Sequence, residues 1–200
     1  YHNASPEPRP VLLVRLYQNV FSPGVPRNRG VTLTGGMEVT RVAVNGVELT
    51  DLTGDQQAGQ TDPGYRIIDT RMPLVPGQPI PPGGTAEIEI DWSFEVSGGG
   101  GFRHGRLDDE IFTLAQWYPQ IGVFDDVFGL DTDAYLGDGE FYVDYGTFDV
   151  NVDVPAGWVV VGTGMLQNAG EVLRDEQAAT LAGAAELDSV VYVVSPEDVA

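Results

Sequence analysis

The sequence predicts an all-β fold, and three observations carry that prediction. The 26 Gly and 14 Pro fall between apolar runs, where they read as turns joining short strands. Several of those runs alternate apolar and polar residues with a period of two, the signature of a strand with one buried face and one wet face. Only Ala169 to Ala179 suggests a helix, and it is short, with no sustained apolar stripe. At 200 residues and 42% hydrophobic content, the chain is long enough to bury a sizeable core. That length suits one β domain over residues 1–200, such as a β-sandwich with long loops.

The elements follow in order. Leu12, Val14 and Leu16 predict an early strand with Arg15 turned outward. Val42 and Val44, then Asn45-Gly46, then Val47 and Leu49 predict a hairpin, because Asn-Gly supplies the positive φ angles of a two-residue turn. "TRMPLVPGQPIPPGG" (70 to 84) holds too many prolines for a central strand and reads as an edge or a surface connection. Thr85 to Val96 is the clearest strand, with Ile88, Ile90, Trp92, Phe94 and Val96 on one face and Glu87, Glu89, Asp91, Ser93 and Glu95 on the other. "SGGGGFRHG" (97 to 105) reads as a mobile loop. In Phe141 to Val154 the apolar phase shifts from odd to even positions at Gly146-Thr147. A straight strand of that length would run about 45 Å, so a bulge or sharp bend is expected at Gly146. Trp158 to Met165 and Ser189 to Val194 complete the predicted strands.

Thirty acidic residues against ten basic ones give a net charge of -20, and every basic residue is Arg. Such a surface repels nucleic acid and anionic membranes. Acidic excess without Lys fits either a salt-adapted host or a GC-rich genome. Without Cys there is no disulfide framework, no thiolate zinc site and no Cys nucleophile, and the redox compartment stays open. No run of about 18 apolar residues exists, so no membrane span is expected. The chain lacks a charged-then-apolar leader, and Tyr1-His2-Asn3 carries no initiator Met, which suggests a mature or excised fragment.

The candidate chemistry is sparse. Hydrolytic zinc sites usually need two or three His ligands, whereas this chain has only His2 and His104, both expected in solvent-exposed loops. "DDVFGLDTDAYLGDGE" (125 to 140) gathers Asp125, Asp126, Asp131 and Asp133, with Asp138 and Glu140 beyond them. Hard oxygen ligands at that density are candidates for calcium, although Tyr135 breaks the EF-hand order. A solvated acidic loop and a glycosidase carboxylate pair stay open as alternatives. "VVVGTGMLQ" (159 to 167) imitates a dinucleotide loop, but Gln167 stands where the third glycine belongs and no βα alternation surrounds it.

Several stretches carry a resemblance: "FTLAQWYPQIGVFDD", "DTDAYLGDGEFYVDYGTFDVNVDVPAGWVVVGTGML", "MPLVPGQPIPPGGTAEIEIDWSFEV" and "LVRLYQNVF". In that succession the chain resembles the amino-terminal domain of zinc metallopeptidases of the aminopeptidase N family, most like its bacterial group. The resemblance implies a saddle-shaped antiparallel β-sandwich or barrel-like domain. Such a domain precedes a thermolysin-like catalytic domain and covers part of its cleft. It implies further that zinc, its ligands and the general base belong to a catalytic domain expected beyond Ala200, so that this chain alone holds no cofactor and is not an enzyme. By position Gln116 is the candidate for the side chain that reaches the pocket receiving the first residue of a peptide. "GGME" (35 to 38) echoes the family's substrate-binding motif, but Val39 replaces its Asn, and it reads as a turn entering a strand. Pro119 is followed by "QIGVFDD", where better-known members continue with Asp-Glu-Pro.

The leading expectation is therefore a non-catalytic domain of a secreted or periplasmic aminopeptidase-like protein, partnered by its own catalytic domain and by peptide. The rival is a free-standing secreted β-sandwich that binds carbohydrate or protein through Trp92, Trp117, Tyr118 or Trp158.

Overall fold

A computed structural model describes residues 1–99, 101, 103–139 and 141–198. The chain is β-rich, with 25% of residues in strands and 12% in helices, and its strands form several small antiparallel sheets, none closed into a barrel. The span read as one β domain holds two compact units, Tyr1–Gly146 and Thr147–Ala200.

In the first unit the strands are β1 (Leu12–Arg15), β2 (Met37–Val44), β3 (Val47–Glu48), β4 (Gly64–Tyr65), β5 (Arg71–Val75), β6 (Ile88–Phe94), β7 (Gly105–Leu107), β8 (Ile111–Thr113), β9 (Gln120–Ile121), β10 (Phe124–Asp125) and β11 (Gly129–Leu130). A four-stranded sheet runs β4-β5-β1-β9, a three-stranded sheet runs β3-β2-β6, and β7-β8 and β10-β11 are separate hairpins. The alternation of Leu12, Val14 and Leu16 places all three in the core with Met72 and Leu74 of β5. Met37, Val42 and Val44 of β2 join the same cluster. Each Leu or Met so buried contributes roughly 1.5–3 kcal/mol.

The predicted hairpin forms. Asn45 and Gly46 hold φ of 50° and 76°, and Val44 faces Val47 across the turn. On β6 the residues Ile88, Ile90, Trp92 and Phe94 pack against the core, as their alternation predicts. "GGME" is a turn entering a strand: Gly35 and Gly36 both have positive φ, and Met37 opens β2.

Two expectations in this unit are corrected. Arg71–Val75, read as an edge or a surface connection, is an inner strand paired with both β1 and β4. Pro73 is tolerated there because its carbonyl accepts from Arg66 N–H at 3.1 Å on the β4 side. In a strand the N–H and C=O of one residue point to the same side, so the missing donor also faces that short edge and not β1. Arg15, expected to turn outward, is buried and is described with the site below.

Tyr17–Phe21 forms a 3-10 helix whose five residues are all buried. Its Asn19 donates to Asp69 O at 2.8 Å and accepts from Met37 N–H at 2.9 Å, which ties the turn before β5 to the start of β2.

Towards the end of the chain three predicted strands are overturned. No strand is present among the described residues of Phe141–Val154, Trp158–Met165 or Ser189–Val194, so the bend expected at Gly146 has no strand to bend. Phe148, Val150, Val152 and Val154 keep their alternation but remain exposed. Helices α1 (Ala169–Val172) and α2 (Asp175–Gly183) extend the helical stretch beyond the expected Ala179. Asp175 and Glu176 in the first turn of α2 complement its dipole, and Arg174 N–H donates to the Gln177 side chain at 3.1 Å.

Candidate functional site

The segment that singles itself out in the sequence links the β7-β8 hairpin to the four-stranded sheet. After β8 ends at Thr113, residues 115–119 lie half-buried, and Gln120 and Ile121 then pair with Arg15 and Val14 of β1. Gln116 adopts a φ of 48°, a left-handed conformation that L side chains other than Asn and Asp adopt rarely and that costs about 1–3 kcal/mol. What holds it there is buried: Gln18, on the 3-10 helix, donates its side-chain amide to Ala115 O at 3.0 Å and to Gln116 O at 3.1 Å. Next along, Trp117 O accepts from the Trp92 indole N–H at 3.2 Å. Three consecutive carbonyls are thus fixed by side chains from the helix and from β6.

Around this backbone the aromatic side chains pack on one another. The Trp92 and Trp117 rings lie 6.3 Å apart, and Trp117 meets Tyr118 edge-on at 5.1 Å. Tyr17, Tyr135 and Phe141 form a second cluster, with centroids 5.0 to 5.3 Å apart. Burial pushes the Tyr118 hydroxyl above its ordinary pKa, partly offset by a hydrogen bond with the Gln120 side chain. Burial raises Tyr17 likewise, against the opposing pull of Arg15. Both phenols are therefore neutral donors near pH 7. The Gln116 side-chain amide finds no partner among the described residues. Fixed backbone, uncharged polar groups and aromatic faces suit this wall to positioning a ligand. They supply no nucleophile and no charged acid or base.

The acidic segment is organised by arginines. Arg15 pairs with the Asp131 carboxylate and also donates to the Asp131 and Asp133 carbonyls. Arg71 reaches Thr132 O at 3.0 Å, and Thr70 Oγ1 accepts from Tyr135 N–H at 2.7 Å. Arg15 can be buried because every contact satisfies one of its fixed guanidinium donors. Of the remaining calcium candidates, Asp125 caps its own hairpin, accepting from Val127 N–H and Phe128 N–H at 2.7 and 2.6 Å and from the Tyr142 hydroxyl at 2.7 Å. Asp126 is exposed, and Glu140 lies outside the described residues. Among the described residues no group of three His, Asp or Glu converges as a metal site.

His2 is exposed as expected, whereas His104 is not. Within 97–105, read as a mobile loop, Ser97 and His104 are buried, and Gly101 and His104 exchange backbone hydrogen bonds at 2.7 and 2.8 Å. Gly100 and Phe102 of that stretch lie outside the described residues. The aromatic contacts to Phe21 and Phe94 decide the burial of His104, and the glycine-rich flank hides that signal in the sequence. Gln18 was equally unmarked, since a polar residue after a strand reads as solvated until the carbonyls it serves are placed. Trp92, Trp117 and Tyr118 come together at the wall, whereas Trp158 belongs to the second unit.

The chain matches no family model, no curated protein and no solved structure. Among the described residues no helix is long and apolar enough to cross a membrane.

Proposed function

We propose that this chain is the non-catalytic, amino-terminal β portion of a zinc aminopeptidase-like metallopeptidase. In this reading its two larger sheets form a saddle-shaped sandwich that is scaffold for a separate catalytic domain, and segment 115–120 is one wall of the peptide cleft. The parent is secreted or periplasmic, zinc resides in the catalytic domain, and Gln116 meets the first side chain of the peptide. The observation that supports the reading is Gln116 itself. Its strained backbone is held by buried Gln18, while its own amide is left without a partner among the described residues. Backbone strain maintained by dedicated side chains is characteristic of sites that position a ligand.

The experiment has two arms. The isolated chain, dialysed against zinc and assayed on aminoacyl substrates, is expected to bind no stoichiometric zinc and to hydrolyse nothing. Zinc at one equivalent together with turnover overturns the reading. In the parent carrying its catalytic domain, Gln116→Ala is expected to change the ranking of first-residue side chains in kcat/KM by about tenfold, which corresponds to ~1.4 kcal/mol of lost transition-state contact. An unchanged ranking removes Gln116 from the pocket.

A further inference from the structure

Tyr65, on β4, is 4% exposed, yet its hydroxyl has no hydrogen-bond partner among the described residues. Nor is that hydroxyl sealed in the core, since it keeps contact with solvent where Tyr65 lines an open cleft of about 350 Å³. Buried tyrosine hydroxyls usually find a partner within the protein, so one left open is a group available to a ligand. Its surroundings are fixed. Tyr65 N–H donates to Thr50 O at 3.0 Å, and Tyr65 O accepts from Leu52 N–H at 2.8 Å. Gly64 permits this approach, because a Cβ there would sit 2.6 Å from Thr50 O.

The cleft lies where β4 of the four-stranded sheet meets β2 and β3 of the three-stranded sheet. Val42 and Leu49, which share the core cluster with Tyr65, give it an apolar lining. Glu48 and Asp51, both exposed, give it charge. Among the described lining residues the cation is Arg41, and it is already shared. Its Nη1 donates to Glu89 at 3.0 Å and lies 3.9 Å from Asp91, and its Nε lies 3.9 Å from Glu48. Asp51 uses Oδ1 to accept from Thr53 N–H at 2.8 Å, and its Oδ2 has no partner among the described residues. Four carboxylates around one arginine leave the site negative, so an anion would be repelled and would compete with Glu89 for Arg41, whereas a cation is attracted. A divalent metal fits less well, since among the described residues no three carboxylates or imidazoles converge.

We propose that this cleft binds a small primary ammonium compound, its charged end held by the Asp51 and Glu48 carboxylates and the Tyr65 hydroxyl, its short apolar chain against Val42 and Leu49. An ammonium group carries three donors, and these three side chains offer three acceptors. Burial raises the Tyr65 pKa, and the Asp51 and Glu48 charges raise it further, so near pH 7 the hydroxyl is neutral and keeps a lone pair for an N–H. The volume stands near the lower end of ligand pockets, which limits the occupant to a few heavy atoms. The site is independent of the function proposed above.

Titration of the intact chain with n-butylammonium chloride at pH 7 and constant ionic strength, followed by backbone amide NMR, tests this. The amides of Leu49, Asp51 and Tyr65 are expected to shift saturably with a Kd of about 1 mM, while those of Leu12 and Met72 do not. Sodium butyrate and n-butanol, matched in chain length, are expected to leave all of them in place. Tyr65→Phe keeps the ring in the core, and Asp51→Asn keeps an acceptor for Thr53 N–H. Each is expected to weaken binding by about fivefold or more. Undiminished affinity in either variant overturns the proposal, as does the absence of saturable shifts below about 20 mM. Equal shifts with butyrate or butanol overturn it without recourse to any variant. The same shifts with calcium chloride would make the cleft a general cation site and overturn the ammonium assignment.

Discussion

Residues 88–94 and 148–154 carry nearly the same pattern, apolar at every second position with acidic or polar residues between, yet they end differently. Ile88–Phe94 is a strand that pairs with β2 along its whole length and lays Ile90 and Trp92 on the core. Phe148–Val154 forms no strand among the described residues, and Phe148 and Val152 remain 64% and 59% exposed. Alternation states which face a strand would bury. It does not supply the neighbour that accepts its backbone hydrogen bonds, and a lone strand leaves those groups to water. β6 has its neighbour in β2, and its inner face packs on the core shared with β1 and β5. Among the described residues of their own unit, 148–154 have no strand beside them.

The largest effect expected from this contrast is a difference between two truncations. Leu74→Ala removes a fully buried side chain of β5 and is expected to cost about 2–5 kcal/mol. Val152→Ala, on the exposed segment, is expected to stay within about 0.5 kcal/mol. Urea unfolding followed by the amide signals of each unit separately measures both. A cost for Val152→Ala approaching that of Leu74→Ala would mean that the segment buries its apolar side in solution and would erase the distinction.

The same contrast shows how much the sequence could tell. The hairpin at Asn45-Gly46 and the inner face of β6 were legible because their signals are local, a turn with required φ signs and a period of two beside it. β5 was misread because the rule against proline in a central strand depends on where the missing N–H points, which the partner strand decides. Arg15 and His104 were misread for a related reason. Their burial depends on residues more than 80 positions distant along the chain, Asp131 and Asp133 for the first and Phe21 for the second. Of the wall, "AQWYP" was visible as an unusual cluster. That Gln18 pins its carbonyls was not, since nothing marks a polar residue as a brace before the chain is folded.

An intermediate effect sharpens the comparison at the arginine that organises the acidic loop. Arg15 is 4% exposed while the Asp131 carboxylate is 23% exposed. Removing one partner of a fully buried pair costs about 3–5 kcal/mol. Here the partial exposure of Asp131 and the two carbonyls that remain on the guanidinium reduce this, so Asp131→Ala is expected to cost about 2 kcal/mol. The urea midpoint of the first unit reports it, and the second unit's signals should not move. A neutral result would mean that the carbonyls alone satisfy Arg15, leaving the acidic character of the loop without a part in the fold.

The smallest expected effect locates where ordered packing gives way to the exposed chain. Tyr142 is half exposed, and its hydroxyl donates to Asp125 at 2.7 Å, a tie from the start of that chain back to the β10-β11 hairpin. The Asp125 carboxyl is held below its ordinary pKa first by Phe128 N–H, then by the Tyr142 hydroxyl and then by Val127 N–H. A depressed carboxylate favours the folded hairpin at pH values above the unfolded pKa, and that contribution is lost as the pH falls through the folded one. Tyr142→Phe removes one of these donors, so the carboxyl should move upward without reaching its ordinary value, because the backbone donors stay in place. Carbonyl-detected NMR titration resolves such a shift. If Asp125 titrates identically in the variant, the tie is absent in solution and the ordered part of the chain ends before Tyr142.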